Sequence, residues 1–194
     1  MTEVITFTGV QGSGKTTMRI MLANHLKKKG YTIINQYEGV HDSISRDAAL
    51  KGFTLNEDTN FETQYYLACK YMVLDIETRK RAEAENFDYI VLDRSPLDVI
   101  PYAMNGHLKI DEKLLIRKML IDHFILYPSN LVYCTPLDTI KSDRVRSVNK
   151  QFQDEIEKGF VDVLDCIRQF VDPTTLVTAP VKDRFKVLLL ELDL

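Results

Sequence analysis

The sequence predicts an α/β fold in three layers: a parallel, five-stranded sheet flanked by helices, with a helical lid. Two observations carry that prediction. Short β-rich runs alternate with longer amphipathic stretches, which is the rhythm of parallel strands joined by crossover helices. The first of these runs passes directly into GVQGSGKTT, Gly9 to Thr17, a glycine-rich turn followed by helix-forming sequence. A length of 194 residues suits one domain spanning 1–194, large enough to bury roughly 70% of the surface its unfolded chain exposes.

The elements follow in order. Val4 to Phe7 reads as a buried strand and Met18 to Leu26 as the helix that leaves the glycine-rich turn. Thr32 to Tyr37, Tyr89 to Leu92, Leu131 to Cys134 and Leu176 to Thr178 supply the remaining strands. The longest helical pattern covers about Asn56 to Glu85, with Phe61, Tyr65, Ala68, Met72 and Ile76 as an apolar stripe at helical spacing. Glu57 and Asp58 open it, and Arg79, Lys80 and Arg81 lie toward its end, as a helix dipole favours. Ser95-Pro96-Leu97-Asp98 and Thr135-Pro136-Leu137-Asp138 each place a hydroxyl before proline and so predict helix starts just after strands.

Gly9, Gly12, Gly14, Lys15 and Thr16 have the spacing G-x-x-x-x-G-K-[ST] of a phosphate-binding loop. Glycine lets the backbone curl until successive N–H groups face one anion, and the following helix adds its free N–H groups and positive dipole end. Gly9, Gln11, Gly12, Ser13, Gly14, Lys15, Thr16 and Thr17 are therefore the predicted nucleotide contacts. Lys15 reaches the β and γ phosphates, and the Thr16 hydroxyl takes Mg²⁺. The predicted fold is thus that of a P-loop nucleoside triphosphatase, with ATP and Mg²⁺ as its cofactors. A glycine-rich turn before an ordinary helix is the bland alternative, disfavoured by the strand before the loop and the helix after it.

Parallel sheets bind ligands beyond the carboxyl ends of their strands, so the residues just after each strand are the next candidates. Asp93 follows the third strand, where it can hold Mg²⁺ or its water beside the loop, or simply end the strand in solvent. Arg94 stands near the acceptor's polar end or makes a local salt bridge, and Ser95 is read as a helix cap. Glu38 follows the second strand, where it can accept the proton of an attacking hydroxyl or remain a solvated strand end. After the fourth strand comes the basic stretch Lys141-Ser142-Asp143-Arg144-Val145-Arg146. Arg144 and Arg146 would point about 200° apart on a regular helix, so both grip one triphosphate only if the segment, about 138–150, folds over it as a lid. A solvated basic face is the alternative.

GVQGSGKT, YEGV after the second strand, FETQYYLACK in the long helix, DRS after the third strand and RVR in the lid position together resemble the thymidylate kinase and deoxynucleoside kinase group of P-loop kinases, phage members included. DRS-P-L-D with the downstream S-D-R-V-R-S is also similar to the nicotinamide-riboside-kinase-like branch. The resemblance covers about residues 3 to 150. It implies an ATP- and Mg²⁺-dependent kinase of nucleotide metabolism acting on a nucleoside or nucleoside monophosphate. Lys15, Glu38, Arg144 and Arg146 become catalytic residues in that reading, with Glu38 as base; Thr16 and Asp93 are metal contacts, and Glu38, Phe61, Gln64 and Arg94 substrate contacts, Gln64 reading an amide-bearing base. Gly39 follows Glu38 where deoxynucleoside kinases tend to have proline, and no basic residue precedes it as in thymidylate kinases, so the acceptor is left open.

Two other readings are weighed. One is a kinase acting on the hydroxyl of a modified base, 5-hydroxymethyluracil, in phage DNA; the other is a nucleotide-dependent ATPase or switch module that binds a protein partner. A net charge of −3 and an isoelectric point near 5.8 provide no general attraction to nucleic acid or anionic lipid, so nucleic acid is not the favoured partner. No run approaches the ~18 apolar residues of a spanning helix and none resembles a signal region, so a cytoplasmic protein with no membrane partner is expected. A homodimer is compatible with the sequence. Cys69, Cys134 and Cys166 are far apart and are read as small buried apolar residues. His25, His41, His107 and His123 lack ligand-like spacing.

Overall fold

The computed structural model describes residues 2–35, 44–137, 149–170, 174–177, 179–180 and 182–194. Five strands form one sheet in the order β2-β3-β1-β4-β5: β1 (Glu3–Thr8), β2 (Ile33–Asn35), β3 (Tyr89–Asp93), β4 (Asn130–Cys134) and β5 (Thr174–Val177). Every described pairing is parallel. The register sets Phe7 beside Asp93 on one flank and beside Val132 on the other. The ends of β1, β3 and β4 therefore open on the same edge of the sheet.

Side chains alternate across the strands, and the two faces acquire separate cores. Ile5 and Phe7 pack with Val91, Val132 and Val177 against Met18, Leu22 and Leu26 of α1 (Lys15–Lys28) and Leu188 of α7 (Arg184–Glu191). On the other face Leu131 and Tyr133 meet α3 (Phe61–Glu85), α4 (Val99–Asn105), α5 (Ile110–Leu126) and α6 (Lys150–Ile167), with α2 (Ile44–Leu50) beside α3. These are the three layers expected from the sequence.

Several boundaries differ from the sequence reading. The helix expected over 56–85 is two elements: a single 3₁₀ turn, Asn56–Asp58, and then α3. Asn60 ends the first and caps the second, its side chain accepting from the Thr63 N–H at 3.0 Å, so Glu57 and Asp58 open the turn rather than the long helix. The buried face of α3 is also rotated from the apolar stripe. It consists of Thr63, Gln64, Leu67, Ala68, Tyr71, Asp75 and Ala82, while Tyr65 is 43% exposed. An apolar count misses this face because Thr63, Gln64 and Asp75 are polar; Gln64 and Asp75 meet Thr59 and His123 only in the folded protein. Ser95-Pro96-Leu97-Asp98 does start a helix. The Ser95 hydroxyl accepts from Leu97 N–H, and Asp98 Oδ1 accepts from Ser95 N–H, each at 3.1 Å, so the turn passes into α4. No helix begins within Thr135-Pro136-Leu137; the rest of that expected start, from 138, lies outside the described residues. Of the 138–150 lid segment only Asn149 and Lys150 are described; they cap and begin α6.

Candidate phosphate and acceptor site

The loop after β1 is shaped by what stands beside it. A Cβ on Gly9 would lie 2.5 Å from the carbonyl oxygen of Cys134 at the end of β4, so only glycine allows the loop to leave between β1 and β4 this closely. Gly12 and Gly14 have φ of 77° and 87°, a region costly to residues with a Cβ. Gly14 then opens α1, its carbonyl accepting from Met18 N–H at 3.0 Å. The Lys15 ammonium folds back on the loop, donating to the carbonyls of Gly9 and Val10 at 2.7 Å and to Ser13 Oγ at 3.4 Å. Burial pushes its pKa down to about 8, and the Arg94 charge adds to that. An anion in the cradle would reverse both effects, so the loop is electrostatically incomplete without one.

Thr16 and Asp93, the two residues read as metal contacts, lie together. Thr16 Oγ1 donates to Asp93 Oδ2 at 2.5 Å, and Arg19 Nε lies 3.9 Å from the same carboxylate oxygen. Arg19, which sequence reasoning passed over, also donates to Asn35 Oδ1 and so joins α1 to the ends of β2 and β3. Its only signal in the sequence is a position four residues after Lys15. Among the described residues no three His, Cys, Asp or Glu side chains gather as a metal cage. Mg²⁺ does not need one, because it keeps waters and takes one or two protein oxygens alongside phosphate. A hydroxyl and a carboxylate in contact beside the loop fit that ion, which Thr16 and Asp93 would hold and which would neutralise phosphate charge there.

On the acceptor side Arg94 has φ of 81°, a strained value for a side-chain-bearing residue. Its N–H still donates to Phe7 O at 2.9 Å, so the ladder continues past the strand while the side chain turns inward. Nη1 stands 3.8 Å from Asp98 Oδ2. The local salt bridge weighed for Arg94 is therefore present. Asp98 is buried and accepts from Thr8 Oγ1 at 2.6 Å. Burial lifts its pKa to about 6 against the pull of Arg94 and Lys15. Asp98 had no predicted role beyond its place after Pro96; a carboxylate returning onto β1 is visible only once β1 and β3 pair.

Gln64 is 2% exposed. Its Nε2 donates to Thr59 Oγ1 at 2.5 Å, and its Oε1 has no hydrogen-bond partner among the described residues. Tyr65, expected in the apolar stripe with Phe61, faces solvent, whereas Phe61 is half-buried against the core. A polar chain connects the two halves of the site: Gln11 Nε2 donates to Asn56 Oδ1 at 2.8 Å, Asn56 O accepts from Thr59 N–H at 3.2 Å, and Thr59 meets Gln64. Tyr102 lies beside Gln11 and Arg94, and Tyr71 acts on Arg94 from α3. Burial pushes the Tyr71 phenol up to about 12. Gln64 Oε1 and Asp98 Oδ2 are buried without a hydrogen-bond partner among the described residues, while the buried Tyr71 phenol meets Ser45 and the Tyr102 phenol meets Gln11 and Arg94. Thr17 is exposed in the first turn of α1. Glu38, Arg144 and Arg146 lie outside the described residues. Of the cysteines, Cys134 is buried, while Cys69 and Cys166 are only half-buried, a correction to the reading of all three as core.

A glycine cradle after β1, a lysine within it and a hydroxyl–carboxylate pair across α1 and β3 define a P-loop nucleotide-binding protein. The chain belongs to the family described as an AAA domain, which it matches over residues 4–184. Its fold is thymidylate kinase-like: it is similar to the crystal structure of thymidylate kinase from Ehrlichia chaffeensis over 100% of this chain and 99% of that one, with a TM-score of 0.67 and 16% identity. No described helix is long and apolar enough to cross a membrane.

Proposed function

We propose that this chain is a kinase that transfers the terminal phosphoryl group of ATP, with Mg²⁺, to a nucleoside or nucleoside monophosphate in the cytoplasm. The observation that carries the reading is the buried polar group of Gln11, Gln64, Tyr71, Asp98 and Tyr102 linked to Arg94 beside the phosphate loop, in which Gln64 Oε1 and Asp98 Oδ2 have no hydrogen-bond partner among the described residues. Buried polar groups are normally paired. A partly unpaired group of amides, phenols and a carboxylate beside a guanidinium suits a ligand rich in donors and acceptors, such as a sugar bearing a base. An ATPase that delivers phosphate to water has no use for such a surface.

The donor's phosphates would lie on the backbone N–H groups of residues 12–16, with Lys15 turning from the loop carbonyls to the anion. Thr16 and Asp93 would hold Mg²⁺. Arg94 would take the polar end of the acceptor and Gln64 an edge of its base. Glu38 is the base in this reading, and Arg144 and Arg146 neutralise charge as it develops. A hydroxyl acceptor must lose a proton to Glu38, whereas a monophosphate attacks through an oxygen that is already anionic.

The family description as an AAA domain favours a second reading, a nucleotide-dependent ATPase module with a protein partner. One experiment separates them. ADP formation is followed with Mg²⁺ and ATP against nucleosides, nucleoside monophosphates, nicotinamide riboside and DNA containing 5-hydroxymethyluracil. Stimulation by a nucleoside or monophosphate is the expected result. Steady ADP release that no acceptor stimulates overturns the kinase reading in favour of the ATPase, and stimulation by the DNA alone transfers it to the modified base.

A further inference from the structure

Arg184 begins α7, 171 positions after Ser13, yet its Nη1 donates to the Ser13 carbonyl of the phosphate loop at 2.9 Å. The same nitrogen donates to Thr135 O at 2.9 Å, Nη2 donates to Thr135 Oγ1 at 2.8 Å and approaches Pro136 O at 3.5 Å, and Nε donates to Ala179 O at 3.1 Å. The residue is 4% exposed. Among the described residues it forms no ion pair with a carboxylate, so all its partners named here are neutral oxygens. A cation held in this way is balanced by no carboxylate among the described residues. The nearest place built to receive an anion is the loop whose carbonyl it grips.

The geometry of one peptide unit explains what that grip does. In a trans peptide the Ser13 C=O and the Gly14 N–H point in opposite directions. A donor fixed on the carbonyl from behind therefore turns the Gly14 N–H into the cradle, and it polarises that N–H as linked hydrogen bonds do. Gly14, at φ of 87°, would otherwise have wide freedom to rotate this unit. Thr135 completes the brace, its Oγ1 donating to Val177 O at 3.2 Å, so Arg184 ties the loop to the ends of both β4 and β5.

We propose that Arg184 is a positioning residue for phosphate binding, holding the Ser13–Gly14 peptide with its N–H facing the anion. This rests on the donor-site reading above and adds a residue outside the motif. It is tested on the full chain by calorimetric titration with Mg²⁺–ADP and with inorganic tripolyphosphate, together with the Gly14 amide proton shift in ¹⁵N-labelled protein. Arg184→Met should weaken both ligands by roughly 10- to 100-fold, the range for losing a hydrogen bond to a charged group. The shift that tripolyphosphate causes at Gly14 should shrink, and Arg184→Lys should recover part of both. A folded Arg184→Met that binds both ligands within about twofold of wild type, or that weakens them with the Gly14 shift at full size, overturns the proposal. If Arg184→Met does not fold, Arg184→Lys decides by the same two readouts, since it keeps the charge and loses the fork. Wild-type protein that binds neither ligand overturns the donor reading and this proposal together; wild-type binding with an indifferent Arg184 overturns this proposal alone.

Discussion

The phosphate loop and the proposed acceptor cluster sit side by side but are made by different means. The loop is nine consecutive residues, Gly9 to Thr17, and its binding groups are backbone N–H groups aimed by glycines at positive φ. The acceptor cluster takes Gln11 from the loop, Gln64 and Tyr71 from α3, Arg94 and Asp98 from the end of β3 and the turn after it, and Tyr102 from α4. A backbone site is specified by spacing and tolerates side-chain change where φ allows it. A side-chain site is specified by packing, and each member fails separately. Substitutions at the positive-φ glycines or at Lys15 should therefore remove function outright, and substitutions in the second should change which acceptor is used.

Lys15→Met gives the largest expected effect. Transfer should fall by at least about 10³-fold in kcat/KM with the circular dichroism unchanged. The variant also exposes a pH signature. Lys15 titrates near 8 in the folded chain against 10.5 ordinarily, so between those values the unfolded chain holds more protons. Stability from this group then rises with pH through that window and is lowest, and constant, below it. Thermal midpoints of wild type minus variant should climb from pH 8 toward pH 10; a flat difference would show that the ammonium is not desolvated.

Glu38→Gln comes next and sharpens the acceptor. For a hydroxyl acceptor kcat should fall by on the order of 10²- to 10⁴-fold. For a monophosphate it should stay within a few-fold, because no proton is removed. Equal loss with both acceptors would make Glu38 a binding residue rather than a base.

Gln64→Leu acts on the acceptor side alone. Removing an amide with an unpaired buried oxygen should raise the acceptor KM by about tenfold and blunt discrimination between pyrimidine and purine, with the ATP KM within about twofold. A matching rise in ATP KM would break the separation of the two halves. Stability should fall by about 1–3 kcal/mol, because the fully buried Thr59 hydroxyl loses its described partner.

The smallest effect belongs to Cys69→Ser with Cys166→Ser, which should leave kcat/KM within about twofold. Both thiols are half-buried and stand outside the cluster. Cys134 is left in place because burial holds its thiol up at about 11 and its carbonyl touches Gly9. A dead but folded double variant would mean that a thiol takes part in the chemistry.

Much of this molecule was decided by the order of its residues. The spacing of Gly9, Gly12, Gly14, Lys15 and Thr16 between a strand and a helix, the alternation that makes the sheet parallel, the cap at Ser95 and the carboxylate at Asp93 were all legible, because each depends on neighbours within a few positions or on a strand end. What the sequence could not show is which side chains from distant elements meet. α3 turns Gln64, Tyr71 and Asp75 inward and Tyr65 outward, against its apolar period, since Gln64 can be buried once Thr59 offers its hydroxyl. Asp98 returns to Thr8 only because β1 and β3 pair. Arg184 reaches Ser13 only because α7 packs beside α1 on the same face of the sheet. Local spacing is set by covalent geometry and read directly from the chain. The burial of a polar group depends on a partner that only folding brings within reach, so tertiary structure alone decided it.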